Sequence, residues 1–571
     1  MDINKILQKT KDARADLYKT YRSLLPEKVL IIWSLLFVSF LSFFSLLLII
    51  NNRYMITVPV LGGKITEGII GTPRFINPVL ANSEQDNDFV NLVFAGLTKR
   101  DSVGSIVLDM AENITESEDG LHYEVTIKDN AYFHDGKKVT SDDIIYTISL
   151  IQNTSIKSPS RVKWEGVSVE KKNGKELTFS LKKPYPLFMN ALSIGILPKH
   201  IWKNLTDEQI SLSDYNIKAI GSGPFYIDKI TSESGIPKTI NLKSNKHYTL
   251  GRPYIDEITL ITYQNEKYLT QAFKDGEIDR IHGISIEKAL SLDVATSTIK
   301  SSLLPRTITI FFNSNKADFL SDKKIRNALN LAINKEAILT EVLSGHGKII
   351  DGPYPFDEED SESEYNTEKA RELLSSSKYV KKGSSTLTFN LATANTDEMK
   401  KVAEIIKKDW SKIGVNVNIS VYEFSDLNQS VIKERDFQAL LFGTITESPS
   451  DLYAFWHSSQ RTYPGLNISN YVSSKLDKQL ETLRENSSEL DRISAYEMVK
   501  KEFEDEVPGI FLFAPSLVYI TNDKITSELP YFSLNNSSRF TLVESWYKNT
   551  EKIWPKTYYK PLIVKLESFI K

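Results

Sequence analysis

The hydrophobic pattern changes once, abruptly, near the start of the chain. Residues 29–50 read VLIIWSLLFVSFLSFFSLLLII, 22 positions without a charge. As a helix they span about 33 Å, enough to cross the hydrocarbon of a bilayer. Beyond them the apolar positions become short and periodic. Residues 64–70 read as a strand and lead into the Pro-broken GTPRFINP at 71–78. Asp119-Gly120 is a turn signal, and Tyr123, Val125 and Ile127 alternate behind it, which predicts a β-hairpin. A helix follows, with Thr140 and Asp143 at capping-box spacing and Ile144, Ile145, Ile148 and Ile151 on one face. Ile325, Ala328, Leu329, Ala332 and Ile333 define another helix, capped by Ser321 or Asp322, and Asn334 stands as the cap of the next. The cleanest unit is β-α-β. Leu387, Phe389 and Leu391 alternate; Met399, Val402, Ala403, Ile406, Trp410 and Ile413 recur at helical spacing; Gly414 ends the helix; Val415, Val417, Ile419 and Val421 alternate again. The pattern predicts one transmembrane helix followed by an α/β body, antiparallel early and α/β late.

Charge orients that helix. Lys5, Lys9, Lys11, Arg14, Lys19, Arg22 and Lys28 precede the apolar run, and only Arg53 lies in the eleven residues after it. The positive-inside bias therefore keeps residues 1–28 in the cytoplasm and places the body outside, joined through a linker at 51–63. Trp33 and Tyr54 sit near the two ends of the span, where amphipathic rings favour the interface. The run is too long for a signal-peptide core and no A-x-A-like site follows, so an uncleaved single-pass anchor is expected. The chain has no cysteine, so the exported body has neither a lipid-anchoring thiol nor disulfides and is stable by burial alone. With 70 basic against 73 acidic residues it presents no field for nucleic acid.

The same inventory narrows the chemistry. Without cysteine there are no thiol nucleophiles, thiolate zinc sites or iron–sulfur clusters. No two of the seven histidines stand three or four apart. There is no H-E-x-x-H, G-x-S-x-G, Walker A or dinucleotide motif. GSGPF at 221–225 reads as a structural turn. The acidic DEEDSESE at 357–364 lacks the spaced ligands and glycine of a calcium loop and reads as a solvated loop. No catalytic residue, metal or cofactor is expected.

At this point the ordered segments resemble a known family, the extracytoplasmic solute-binding proteins of family 5, peptide/nickel-type receptors of ABC importers. The resemblance runs from about Lys64 to beyond Tyr547. Its most specific block is LVFAGLTKRDSVGSIVLDMAENITESEDGLHYEVTIKDNAYFHDGKKVTSDDIIYTI. AIGSGPFYI, AFKDGEIDRI, FFNSNKADFLSDKKIRNALNLAINKEAI, NTEKARELL, FQALLFGTITESPSDLYAFW, NISNYVSSKLDKQL and EDEVPGIFLF follow in order. The resemblance implies a two-lobed periplasmic-binding-protein-like fold of type II, in its large peptide-binding subclass. Lobe I would comprise 64–302 plus 516–571 and lobe II 303–515, with hinge crossings near 303–309 and 514–519. It implies a receptor that carries out no reaction, closes around a short peptide and delivers it to ABC permease subunits.

The same resemblance nominates site residues. Phe75, Ile76 and Asn77 lie in the opening segment, whose backbone would pair with an extended peptide. The late segment 442–451 would form the opposite wall, where peptide-binding relatives often read G-W-x-x-D-x-x-D-P and an acid meets the ligand's α-amino group. Here Thr444 replaces the tryptophan, Glu447 the first acid, and the second falls on Ser450 with Asp451 one position later. Phe442, Thr444, Glu447 and Asp451 are therefore the candidates there, and amine recognition falls to Glu447 or Asp451 or is lost. Asn467 and Tyr471 match an N-x-x-x-Y-like stretch and join the list; Tyr453 and Trp456 read as core. Other solutes stay open on this departure: an oligosaccharide, an opine-like molecule or a chelated metal. So do a tethered envelope sensor, chaperone or scaffold and, more distantly, a peptidase.

Overall fold

The computed structural model describes residues 3–22, 25–292, 297–357, 364–380, 387–486, 488–522, 524–531 and 533–554. Most of the acidic stretch 357–364 lies outside the described residues, as does 555–571, assigned above to lobe I. The chain divides into two compact units.

The first unit comprises Met1–Val60 and Asn549–Lys571. The helix Ile3–Arg22 ends in Lys19 and Arg22. The helix Pro26–Tyr54 contains the uncharged run, has proline in its first turn where the missing N–H is harmless, and buries none of its residues. Among the described residues it is the helix long and apolar enough to cross a membrane. The expected linker is largely structured: the helix continues to Tyr54, and Ile56–Val60 forms a strand antiparallel to Asn549–Ile553. Ile56, Val58 and Val60 have the alternation of a strand, but their partner lies almost five hundred residues downstream, beyond any local pattern.

The second unit, Leu61–Lys548, is built on a mixed sheet with a branched path. Its axis is the thirteen-residue strand Gly509–Thr521. Up to Pro515 this strand pairs with Arg306–Phe312 and Gly347–Ile349; from Ser516 it pairs with Thr298–Leu303 and Arg280–His282. The other chain crossing lies alongside, with Leu304 N–H donating to Pro515 O at 3.0 Å. Apolar cores flank the axis. The first draws on 65–260 and 519–546, with a smaller cluster at 269–292, 518 and 520 beside it. The second draws its buried side chains only from residues 308–514. This is a two-lobed α/β body.

Local chemistry sets the elements. Asp119 Oδ1 accepts from Leu121 N–H, and Gly120 takes a φ of +67°, closing the turn between Ala111–Glu116 and His122–Ile127. Thr140 and Asp143 form the capping box of Ser141–Gln152. Asp322, not Ser321, caps Lys323–Leu331, and Asn334 caps Lys335–Leu343. In the β-α-β unit, Leu387–Ala394 and Val415–Tyr422 run parallel on either side of Asp397–Ser411 in the chain. Trp410 is buried and donates to Leu329 O at 2.9 Å. Val421 departs from the alternation and is exposed. In the 221–225 turn, a Cβ on Gly221 would lie 2.0 Å from Val93 O, so this position requires glycine.

The carboxyl-terminal residues return to the first core through charge. Arg539 Nε lies 2.7 Å from Glu67 Oε1, and its terminal nitrogens clasp the Asp88 carboxylate at 2.6 and 2.8 Å. Tyr519 Oη donates to the other Glu67 oxygen at 2.5 Å. Glu67 and Arg539 are 0% exposed. Burial alone would raise the Glu67 pKa, but Arg539, with help from His282 and Tyr519, brings it down to about 2.

Candidate functional site

A cavity of about 340 Å³ is lined from both sides of the strand axis. From one side come Arg100, Lys163, Tyr185 and Asn190; from the other come Glu447, Asp451 and the exposed Ile445. Arg100 ends the strand Thr98–Arg100, which pairs with Ile106–Leu108 across a turn held by Asp101. Its Nη1 donates to Gly104 O at 2.9 Å, which anchors the side chain at the turn. Lys163 sits on the helical turn Arg161–Trp164, whose Trp164 is buried.

The acids stand just past the strand Ala439–Ile445. Ser448 begins a short helical turn as its N-cap, and Asp451 Oδ2 accepts from Glu447 N–H at 2.9 Å and Ser448 N–H at 3.0 Å. Asp451 thus holds the loop that carries Glu447. Its pKa is raised, first by burial and then by the Glu447 charge, against the two N–H groups and Lys163. Burial and these two acids together push the Tyr185 phenol up to about 12. The Arg100 pKa is lowered by burial, with Glu447 acting the other way. Burial pushes the half-buried Tyr354 phenol up to about 12 as well, with Arg100 acting to lower it and Asp357 and Asp451 to raise it. Anionic and cationic walls therefore face one cavity within reach of each other's field.

Of the nine residues nominated from sequence, the structure brings Glu447 and Asp451 to this cavity. Phe442 and Thr444 lie on the adjoining strand: Phe442 packs on the second core, and Thr444 Oγ1 meets Thr307 Oγ1 at 2.8 Å. The opening segment is bound elsewhere. Arg74 and Phe75 N–H groups both donate to Asp86 Oδ1, and Ile76 N–H donates to Asn216 O at 2.6 Å. These three donors are committed inside the protein. Ile76 is core, and Asn77 is buried with its Nδ2 on Asn216 Oδ1 at 3.0 Å. Asn467 is also fully buried. Its amide donates to the carbonyls of Trp456, His457 and Tyr471, tying three turns of loop together. Tyr471 packs on the second core, its phenol at about 12 through burial and the Glu502 and Glu506 charges.

Arg100, Lys163 and Tyr185 were not nominated, and no spacing links them: they come from three separate stretches and meet only in the folded chain. Among the described residues, no group of three His, Asp or Glu side chains is placed to hold a metal ion.

Known proteins share this architecture. Residues 105–464 match the model of the bacterial extracellular solute-binding proteins, family 5 (middle region). The oligopeptide-binding protein AppA of Bacillus subtilis is 30% identical over 479 residues, covering 80% of this chain and 87% of AppA. The solved structure of AppA in complex with a nonapeptide aligns over 86% of this chain and all of that one, with TM-score 0.62 and 28% identity. NikZ from Campylobacter jejuni, solved in complex with Ni(L-His), aligns over 85% of this chain and 99% of its own, with TM-score 0.65 and 25% identity. The match covers more than half the chain and falls on both walls of the cavity, and so this chain belongs to the family 5 extracellular solute-binding proteins, substrate-binding components of ABC transport.

Proposed function

We propose that the chain is a membrane-anchored receptor that captures short peptides between its lobes and delivers them to an ABC permease, without chemistry of its own. One observation carries this reading: Glu447 and Asp451 line one wall of the cavity, Arg100 and Lys163 the other. A peptide is a zwitterion with an ammonium at one end and a carboxylate at the other. Two carboxylates sharing a half-buried site repel, and a cation placed between them relieves that repulsion. An α-amino group against Glu447 and Asp451, with the peptide carboxylate toward Arg100 or Lys163, satisfies both walls at once. The oligopeptide-binding relative and its nonapeptide complex support a peptide over other solutes.

In this reading lobe I is 64–302 plus 516–571, lobe II is 303–515, and the hinge is the paired crossing at Leu304 and Pro515. Closure there buries the ligand and presents the permease with a surface that the open form lacks. Asn77 and Asn467 serve by fixing the segments on either side of the cleft, and the acids contact the ligand. The helix Pro26–Tyr54 with its basic flank holds the body at the outer membrane surface, raising its effective concentration near the permease.

The test is calorimetric titration of the full-length chain in detergent with Ala-based peptides of two to nine residues, with their N-acetylated forms, and with nickel plus histidine. Binding of free peptides, weakened at least tenfold by acetylation, is expected. Heat only with nickel and histidine would replace the peptide by a chelate, and no heat with any of them would remove the transport reading.

A further inference from the structure

The cleft cavity has a neighbour. A second cavity of about 180 Å³ lies within the first lobe and shares Arg100, Ser193 and Leu534 with the cleft. That is roughly six times the share of one water in the liquid, room for a side chain rather than a whole residue. Three charged groups in its lining lie in each other's field: Lys99, Asp109 and Glu544. Asp101, also in the lining, is engaged by its own turn, accepting from the N–H groups of Val103 and Ser105.

Asp109 is buried and accepts from the hydroxyls of Tyr248 and Thr249. Burial raises its pKa, the Thr249 hydrogen bond and the Lys99 charge act against that, and Glu544 adds to it. Glu544 Oε1 lies 2.5 Å from Lys99 Nζ. Glu544 Oε2 is buried and has no hydrogen-bond partner among the described residues. Arg100 also lines the pocket, with its Nη1 held on Gly104 O, so what the lining leaves open is one carboxylate oxygen without a donor. A buried acceptor without a donor is unfavourable.

We infer that this side pocket receives a cationic side chain of the ligand held in the cleft, with Glu544 as its counter-charge. The inference rests on the peptide reading of the cleft. A lysine or arginine side chain entering past Arg100 supplies the donor that Glu544 Oε2 lacks. An apolar side chain of the same length leaves the oxygen unpaired. An acidic one adds a third negative charge. Hydrogen bonds to charged groups are strong enough to separate these cases by about tenfold or more in affinity.

The deciding experiment titrates the full-length chain in detergent with Ala-based tri- and pentapeptides carrying Lys, Met or Glu at each position in turn. Lysine and methionine have similar reach and differ in charge. At one position Lys is expected to bind at least tenfold more tightly than Met, with Glu weakest. Glu544→Gln is expected to bring the Lys-to-Met ratio at that position close to one and leave the other positions unchanged. Equal affinity for Lys and Met at every position overturns the pocket and leaves the peptide reading standing, and this holds even if the variant fails to fold. A Lys preference that survives Glu544→Gln also overturns it. No binding of any peptide overturns both.

Discussion

Arg539 reaches Glu67 across 472 positions of sequence, with Nε 2.7 Å from Oε1 and neither side chain exposed. The guanidinium also clasps Asp88, so one cation serves two buried carboxylates. Arg539→Met is expected to destabilise the body by about 3–5 kcal/mol, because it strands both anions in the core. A shift in urea midpoint on the full-length chain reads this directly. A shift within experimental error would mean that His282 and Arg280 suffice.

The acid limb of stability follows from two groups whose folded pKa lies below the unfolded value. His134 is buried. Its Nε2 meets Gly223 O at 3.1 Å and its Nδ1 meets Gly221 N–H at 3.3 Å, an arrangement that suits the neutral ring. Burial lowers its pKa to about 4. The unfolded chain therefore takes up a proton first as pH falls. The stability from this group is complete above pH 6.5 and is lost between there and about 4, on the order of 3 kcal/mol. Glu67 acts lower, complete above pH 4.5 and lost toward about 2. Melting curves from pH 7 to 4 should fall progressively, and His134→Gln should flatten that slope while lowering the plateau. An unchanged slope in the variant would refute the assignment.

The two cleft acids should separate under mutation. Glu447→Gln is expected to weaken peptide binding about tenfold with no change in melting temperature, because among the described residues none depends on its carboxylate for a cap. Asp451→Ala should weaken binding and also cost about 1 kcal/mol of stability, because Asp451 Oδ2 caps the turn at Ser448. Titration and melting of the same samples distinguish the roles. Equal stability losses in both variants would place Glu447 in the fold instead of the site.

Membrane attachment has a simple readout. Alkaline carbonate washing of membranes should leave the full-length chain in the pellet, and protease added outside intact cells should remove the body but not residues 1–28. Release of the chain with a new N-terminus beyond residue 50 would show a cleaved signal instead of an anchor.

The elements set by neighbouring residues were readable in advance. Thr140, Asp322 and Asn334 cap where spacing places them, because a cap satisfies donors two or three residues away. The β-α-β unit is similarly local, since its two periodicities follow from backbone geometry. The ordered family segments carried the lobed architecture. The site was half legible: Glu447 and Asp451 lie in one segment whose family counterpart is acidic, whereas Arg100, Lys163 and Tyr185 have no common pattern and are joined only by folding. Asn77 and Asn467 illustrate the converse. Polar residues in loops of the family's cleft look like contacts, yet their amides satisfy buried carbonyl and amide groups that sequence does not display.

The clasp at Arg539 also sets an order of assembly. Synthesis and export deliver Glu67 and Asp88 some 450 residues ahead of the cation that neutralises them. Until it arrives, closing the core around both carboxylates carries the cost of dry, unpaired charge. The stretch 308–514, which builds its own core, has no such wait. The early part of the chain therefore gains its full stability only when the polypeptide is nearly complete.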